Sequence, residues 1–218
     1  MEGKIKKGDF IEIQYTGKVE GNVFDTTDEK TAKELGIHNP TFPYGHIVVC
    51  VGEGHLLEGL DKEVQGKEMN KEYKIMLKPE NAFGKKDASL IKLISRGKFK
   101  SQGVDPQPGM TVTIDNRLAV IKTVSGGRVL ADFNHPLAGK QVEYSFKATK
   151  IITNSEEQIR AILTMELNLG KEGYELKITG DNAKLKFKKE AGVPGEIRPM
   201  LLEKITRLTK IKKVDFED

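Results

Sequence analysis

Between residues 9 and 15 (DFIEIQY) apolar and polar positions alternate, the period of a strand with one face in a core. Residues 18–25 (KVEGNVFD) continue the pattern across Gly21-Asn22, a hairpin-like turn between Val19 and Val23-Phe24. The polar run 26–43, punctuated by Pro40 and Pro43, predicts a loop with a helical turn near residues 32–35. Strand-like residues 47–51 and 72–77 then bracket the stretch VGEGHLLEGLDKEVQG. Within it Leu56, Leu60 and Val64 recur every fourth residue and Leu57 lies three before Leu60. That spacing puts all four on one helical face, with Glu58, Asp61, Lys62 and Glu63 opposite and Gly66 as a left-handed stop. About three turns of helix do not hold alone in water, so the helix is expected to lie on the flanking sheet. Leu60 and Val64 read as core. Leu56 and Leu57, beside Gly52 and Gly54, are placed to line the floor of a pocket.

The pattern changes at Lys85. Short alternating runs between Asp115-Asn116 and Gly126-Gly127 predict a small β-rich module of about fifty residues, after which 141–151 returns to strand period. An insertion between two parts of one sheet accounts for this order. From residue 154 the pattern changes again. Ser155-Glu156-Glu157-Gln158 reads as a capping box ahead of a stripe of Ile159, Ile162, Leu163 and Leu167. Two alternating runs follow across Gly180-Asp181-Asn182, then a second stripe (Ile197, Met200, Leu201, Ile205, Leu208) and a terminal strand near 211–216. The order α-β-β-α-β predicts an α+β module. The lysine-rich run 184–189 reads as a protected edge.

Composition narrows the picture. An apolar fraction of 37% and a charged fraction of 31% over 218 residues favour small, well-solvated units. The single Cys50 cannot form an internal disulfide, and no apolar run approaches a membrane span or signal segment, so a cytoplasmic location is expected. Residues 85–132 hold nine Lys/Arg against four Asp/Glu, but the charges are scattered and only Phe99 interleaves. A solvated face is the plainer reading, and nucleic-acid binding is not expected. His46, His55 and His135 have no recognisable ligand spacing, so no metal or other cofactor is assigned.

The pieces IQYTGKVEGNVFDTT, VGEGHLLEGLDKEVQGKEMNKEY, PENAFG and DFNHPLAGKQVEY, in this order over residues 5–153, resemble the FKBP family of peptidyl-prolyl isomerases, in its SlyD-like long archaeal form. The resemblance implies an α+β fold in which an antiparallel sheet wraps a short helix, over residues 1–84 and 133–153. It implies an inserted chaperone-like domain at 85–132 and an extra domain at 154–218. Tyr15 then matches the aromatic wall of the pocket, Phe24 and Asp25 the apolar wall and pocket carboxylate, and Ile47 a further wall. Leu56 and Leu57 match the pair whose backbone meets the bound peptide, and Leu60 the pocket floor, often Trp in the family. Phe83 stands where most members carry Tyr, and Tyr144 where Phe is usual. Macrolide binding is therefore expected to be weak. A histidine-rich metal-binding tail of some SlyD-like proteins is absent from this sequence.

Isomerisation of an X-Pro bond needs no nucleophile or general base. The expected catalytic set is Tyr15, Asp25, Phe83 and Tyr144, with Phe24, Ile47, Leu56, Leu57 and Leu60 binding substrate. Taken without the resemblance, aromatics on strands are more often core, and Asp25 before Thr26-Thr27 caps a turn as readily as it serves a pocket. Leu90, Ile91, Leu93 and Ile94 offer an apolar face for unfolded chains. A non-catalytic holdase and a ribosome-associated factor stay open beside the isomerase. At the C-terminus, part of Met200, Leu201, Ile205 and Leu208 is expected to be left for a second copy, giving a homodimer.

Overall fold

The structure, a computed structural model, describes residues 3–217 apart from 102 and 192. In chain order it contains β1 (Phe10–Val19), β2 (Asn22–Thr26), α1 (Glu29–Glu34), β3 (Ile47–Cys50), α2 (Glu58–Val64) and β4 (Glu72–Leu77). Next come β5 (Ile91–Ser95), α3 (Arg96–Lys100), β6 (Thr111–Ile114), β7 (Arg117–Ser125) and β8 (Arg128–Asp132). The chain ends with β9 (Val142–Ile152), α4 (Ser155–Leu167), β10 (Tyr174–Thr179), β11 (Asn182–Phe187), α5 (Arg198–Leu208) and β12 (Lys213–Glu217). These elements form two compact units, Lys78–Gln141 and the remainder of the chain.

In the larger unit β1 is the organising strand. It pairs antiparallel with β9 along its length on one side, and with β3 and then β2 on the other. β4 closes the far edge against β9, so the two strands that flank the other unit in sequence pair with each other. The β1–β2 turn uses Glu20 (φ 51°) and Gly21 (φ 83°), one residue earlier than the Gly21-Asn22 expectation. Two consecutive positive φ values match the right-handed strand twist in a two-residue hairpin.

Helix α2 lies under this sheet with Leu60 and Val64 buried. Asp61, expected on its polar face, is also buried and accepts the Gly52 N–H on both carboxylate oxygens (3.0 and 2.9 Å). A seven-residue helix is too short to have a fully wet side, and the preceding glycine turn folds back onto it.

The C-terminal residues build a second layer in the same unit. Asn154, not Ser155, caps α4, its side chain accepting from the N–H groups of Glu156 and Glu157 (2.9 and 3.1 Å). β10, β11 and β12 form one sheet, with β12 parallel to β11. The lysine-rich strand is therefore central rather than an edge. Lys184 and Lys186 stand on its exposed face while Ala183 and Leu185 point inward, the period-two rule at work.

Leu201 and Ile205 are fully buried, and Met200 and Leu208 pack beside them in a core that includes Phe10, Cys50 and Ile152. Two of the four residues expected for a partner copy are thus consumed inside the chain. The small sheet does not have to cover both helices: α5 lies against β12 and α4, and α4 packs on β3. Leu202 remains 40% exposed.

The smaller unit is a four-stranded antiparallel sheet in the order β5-β8-β7-β6, with α3 placing Phe99 in its core. The chain recasts the expected apolar face of this unit. Ile94 packs toward that core, whereas Leu93 is 58% exposed, because neighbours on a strand face opposite sides. Leu90 and Ile91 are half-buried. Among the described residues of this unit, Leu118 (69%) and Met110 (41%) are also large, exposed and apolar.

Candidate functional site

Gly17 of β1 is in register with Asp25 of β2 on one side and with Tyr144 of β9 on the other. The three positions form one row across three strands. Strands lie about 4.8 Å apart, so Asp25 and Tyr144 are two spacings distant and any side chain at position 17 would stand between them. Glycine leaves that space open. A Cβ there would come within 2.8 Å of the Tyr144 ring and 3.0 Å of the Phe24 ring. The phenol reaches across, and Tyr144 Oη donates to Asp25 Oδ2 at 3.0 Å.

An irregularity in β2 completes the arrangement. Asp25 pairs with Gly17 and Val23 with Lys18, leaving Phe24 as an extra, bulged residue. In a regular strand Phe24 and Asp25 would face opposite sides; a bulge re-aims one of them. Here both reach Tyr144. Phe24 meets that ring edge-on at 5.8 Å and 80°, and Tyr15 meets it at 5.8 Å and 70°. Edge-to-face packing sets the positive rim of one ring against the negative face of another.

Electrostatics follow from burial. Desolvation pushes the Asp25 carboxyl up from the ordinary aspartate range, while hydrogen bonds from Tyr144, the Thr26 backbone and Tyr15 pull it back down. Burial, and then the neighbouring Asp25 charge, push both Tyr15 and Tyr144 well above the usual phenol value. Both hydroxyls therefore keep their protons and act as donors. The turn-capping role open to Asp25 falls to its neighbours instead: Asp28 caps α1 through the Thr31 N–H at 2.6 Å, and Thr27 Oγ1 accepts the Tyr15 N–H at 3.1 Å.

Ile47, Leu56 and Leu60 are buried in the same unit, at 3%, 7% and 1% exposure, and Leu57 is half-buried at the start of α2. A cavity of about 160 Å³ opens beside Phe24 and Asp25, lined also by Ala32, Ile37, Phe42 and Tyr44. The Tyr44 ring stacks on His38 (4.9 Å, 12°) and meets Phe42 edge-on at 4.9 Å. Periodicity does not single out this loop; its one local signal is FPY, two aromatics around a proline in an otherwise polar run. Gly17 has no such signal, and only the register reveals its role.

Phe83 belongs to the smaller unit, where its ring lies parallel to that of His135 at 4.5 Å. Cys50 is fully buried, and burial pushes its thiol up to about 12, so it is inert at neutral pH. Among the described residues no three His, Cys, Asp or Glu side chains are grouped to hold a metal ion, and no helix is long and apolar enough to cross a membrane.

Comparison with known proteins matches residues 2–99 to the FKBP-type peptidyl-prolyl cis-trans isomerase model and residues 92–137 to the IF domain of FKBP26. The short-type peptidyl-prolyl cis-trans isomerase of Methanocaldococcus jannaschii is 37% identical over 151 residues, covering 69% of this chain and 96% of that protein. The FKBP-type isomerase SlyD of Helicobacter pylori is 29% identical over 162 residues, 72% of this chain and 79% of its own. The FKBP-type 16 kDa isomerase of Escherichia coli K12 is 30% identical over 106 residues, 46% of this chain and 70% of its own. With an aromatic and carboxylate row on a sheet above a short helix, and an archaeal relative matched over nearly its full length, the chain belongs to the FKBP-type peptidyl-prolyl cis-trans isomerases.

Proposed function

We propose that the protein interconverts cis and trans X-Pro bonds in polypeptides at the Asp25–Gly17–Tyr144 row, with the inserted residues 85–132 capturing unfolded chains. The row carries the reading: a half-buried carboxylate, which lines one small cavity with Phe24, is held by two protonated phenols. The barrier to rotation, about 18–20 kcal/mol, comes from amide resonance lost on twisting. Only interactions stronger in the twisted state than in either planar form lower it. Apolar walls from Tyr15, Phe24, Ile47, Leu56, Leu57 and Leu60 hold the proline ring and exclude water, which favours the less polar twisted amide. Asp25 fixes the Tyr144 and Tyr15 hydroxyls, so the donors do not reorient as the amide turns. Phe83 joins this set on the family resemblance alone. Phe83→Tyr, assayed for macrolide binding that is otherwise weak, tests its place.

A protease-free isomerisation assay on a proline tetrapeptide decides the activity. Acceleration by the wild type without metal or nucleotide, cut by Asp25→Ala and by Tyr15→Ala in folded protein, is the expected result. Wild-type rates in both variants would remove the pocket assignment. Capture of unfolded chains rests on exposed Leu93, Met110 and Leu118. If chain capture without catalysis were the whole function, the protein would suppress aggregation while leaving the tetrapeptide unaffected. RNA binding with steep salt dependence would instead support the ribosome-associated role.

The proposed setting is the cytoplasm. A homodimer through residues 154–218 would use Leu202 and the surface around it, because the main stripe is internal. Light scattering of the full chain at tens of micromolar tests this; a monomer at that concentration overturns it.

A further inference from the structure

The turn between β3 and α2, residues 51–57, is held from outside. Gly52 (φ 89°) and Gly54 (φ 77°) lie in the left-handed region, and Leu57, at the N-cap of α2, offers no side-chain cap. Such a turn has little stiffness of its own: two glycines permit many backbone states, and the first N–H groups of a helix have no partner within it. Yet Leu56 and Leu57, which follow directly, must present a fixed surface if they meet substrate.

Two side chains of the turn are gripped by the C-terminal helices. The Glu53 carboxylate, 11% exposed, receives both Arg207 terminal nitrogens of α5, at 2.7 and 2.8 Å. Arg207 is itself steadied by Glu203, whose carboxylate accepts its Nε–H at 2.6 Å. This is the planar two-bond geometry that fixes orientation as well as distance. Arg207 also holds the Glu53 carboxyl below the usual range.

His55 is the second point. Its side chain is 4% exposed, with Nδ1 3.0 Å from the Cys50 backbone N–H and Nε2 3.1 Å from Glu166 Oε1 of α4. A backbone N–H can only donate, so Nδ1 carries the lone pair and the proton sits on Nε2, directed at Glu166. Glu166 is held in turn by the Lys204 ammonium of α5. The imidazole thus ties the end of β3 to α4 through one ring. A buried core shared by Phe10, Cys50 and Ile152 with Ile159, Ile162 and Ile205 fixes the helices against β3, so the grip has a rigid base.

We propose that α4 and α5 position the substrate-facing turn of the isomerase, with Glu166 acting through His55 and Arg207 acting through Glu53 as positioning residues. None of the four belongs to the Asp25–Tyr144 row; they set where Leu56 and the Leu57 backbone stand. The inference rests on the isomerase reading and adds to it a task for residues 154–218. The C-terminal region then tunes substrate affinity from within the same chain.

The test uses the full chain and measures KM and kcat separately on a proline tetrapeptide. Arg207→Ala and Glu166→Gln are expected to raise KM by about threefold to tenfold, tenfold corresponding to about 1.4 kcal/mol, with kcat changed far less. Restoration by the charge exchange Glu53→Arg with Arg207→Glu would show that the pair, and not a general loss of packing, sets KM. Amide hydrogen exchange at residues 52–57 should quicken in both single variants while the β1–β9 amides stay protected. An active wild type whose KM and turn exchange are unmoved in both folded variants overturns the positioning role. An inactive wild type overturns the isomerase reading instead, and the two failures are thereby distinguished.

Discussion

The two units build sheets by the same alternation and use them in opposite ways. In the larger unit the inward row of β1 and β9 carries Tyr15, Gly17 and Tyr144, and the Tyr15 and Phe24 rings close on Tyr144 beside a single carboxylate. In the smaller unit Ile121, Val129 and Ala131 fill a modest core, while Leu93, Leu118 and Met110 stay exposed. Water removal makes the first region specific: a half-buried aspartate flanked by buried phenols holds a fixed set of donors. In the second, the proposed capture of unfolded chains would draw on the opposite property, since scattered apolar residues on a solvated sheet can meet many chain segments without a shape to match. Burial, rather than residue type, separates the proposed site from the proposed contact surface.

Truncation should break the comparison most sharply. Tyr144→Ala removes a fully buried ring on which Tyr15 and Phe24 rest, and is expected to cost about 3–5 kcal/mol in urea unfolding. Leu118→Ala, 69% exposed, should stay within about 0.5 kcal/mol. Similar losses in the two variants would erase the distinction. Next in size is Gly17→Ala, whose methyl overlaps the Tyr144 ring; about 1–3 kcal/mol of destabilisation is expected, with isomerase activity falling as the phenol is displaced.

Tyr144→Phe keeps the ring and removes the donor to Asp25. A rate loss of about tenfold, or roughly 1.4 kcal/mol, with the fold retained, would assign the hydroxyl to catalysis rather than packing. In the other unit, Leu93→Lys with Leu118→Lys should slow catalysis of proline-limited refolding severalfold and leave tetrapeptide isomerisation untouched. Equal losses in both assays would mean that the exposed residues act on the chemistry itself.

The smallest expected effect is a pH slope. The Asp25 carboxyl is raised in the folded state, so between the ordinary aspartate value and the raised one the native protein holds more protons than the unfolded chain. Stability from this group is full below that window and declines as pH rises through it. Asp25→Asn should remove the slope. Urea midpoints of both proteins across the acid range measure it. A wild-type profile parallel to that of Asp25→Asn would place the carboxylate in water.

The motif-bearing stretches and the two periodicities determined the element types, the fold family and the side chains proposed for the site. Tyr15, Phe24, Asp25 and Tyr144 all belong to short local patterns, and local patterns are visible in one dimension. The tertiary structure decided what depends on register and on neighbours distant in sequence. Gly17 matters because it lies between Asp25 and Tyr144, and Phe24 reaches the same ring only through a one-residue bulge. Asp61 is buried because the glycine turn folds back to it, and β11 is central because β12 returns parallel beside it. The stripe of α5, free for a partner when its own helix is taken alone, is covered because β12 and α4 pack against it, while β3 takes a face of α4. Periodicity shows which face of an element is apolar; only the packed chain supplies the surface that covers it.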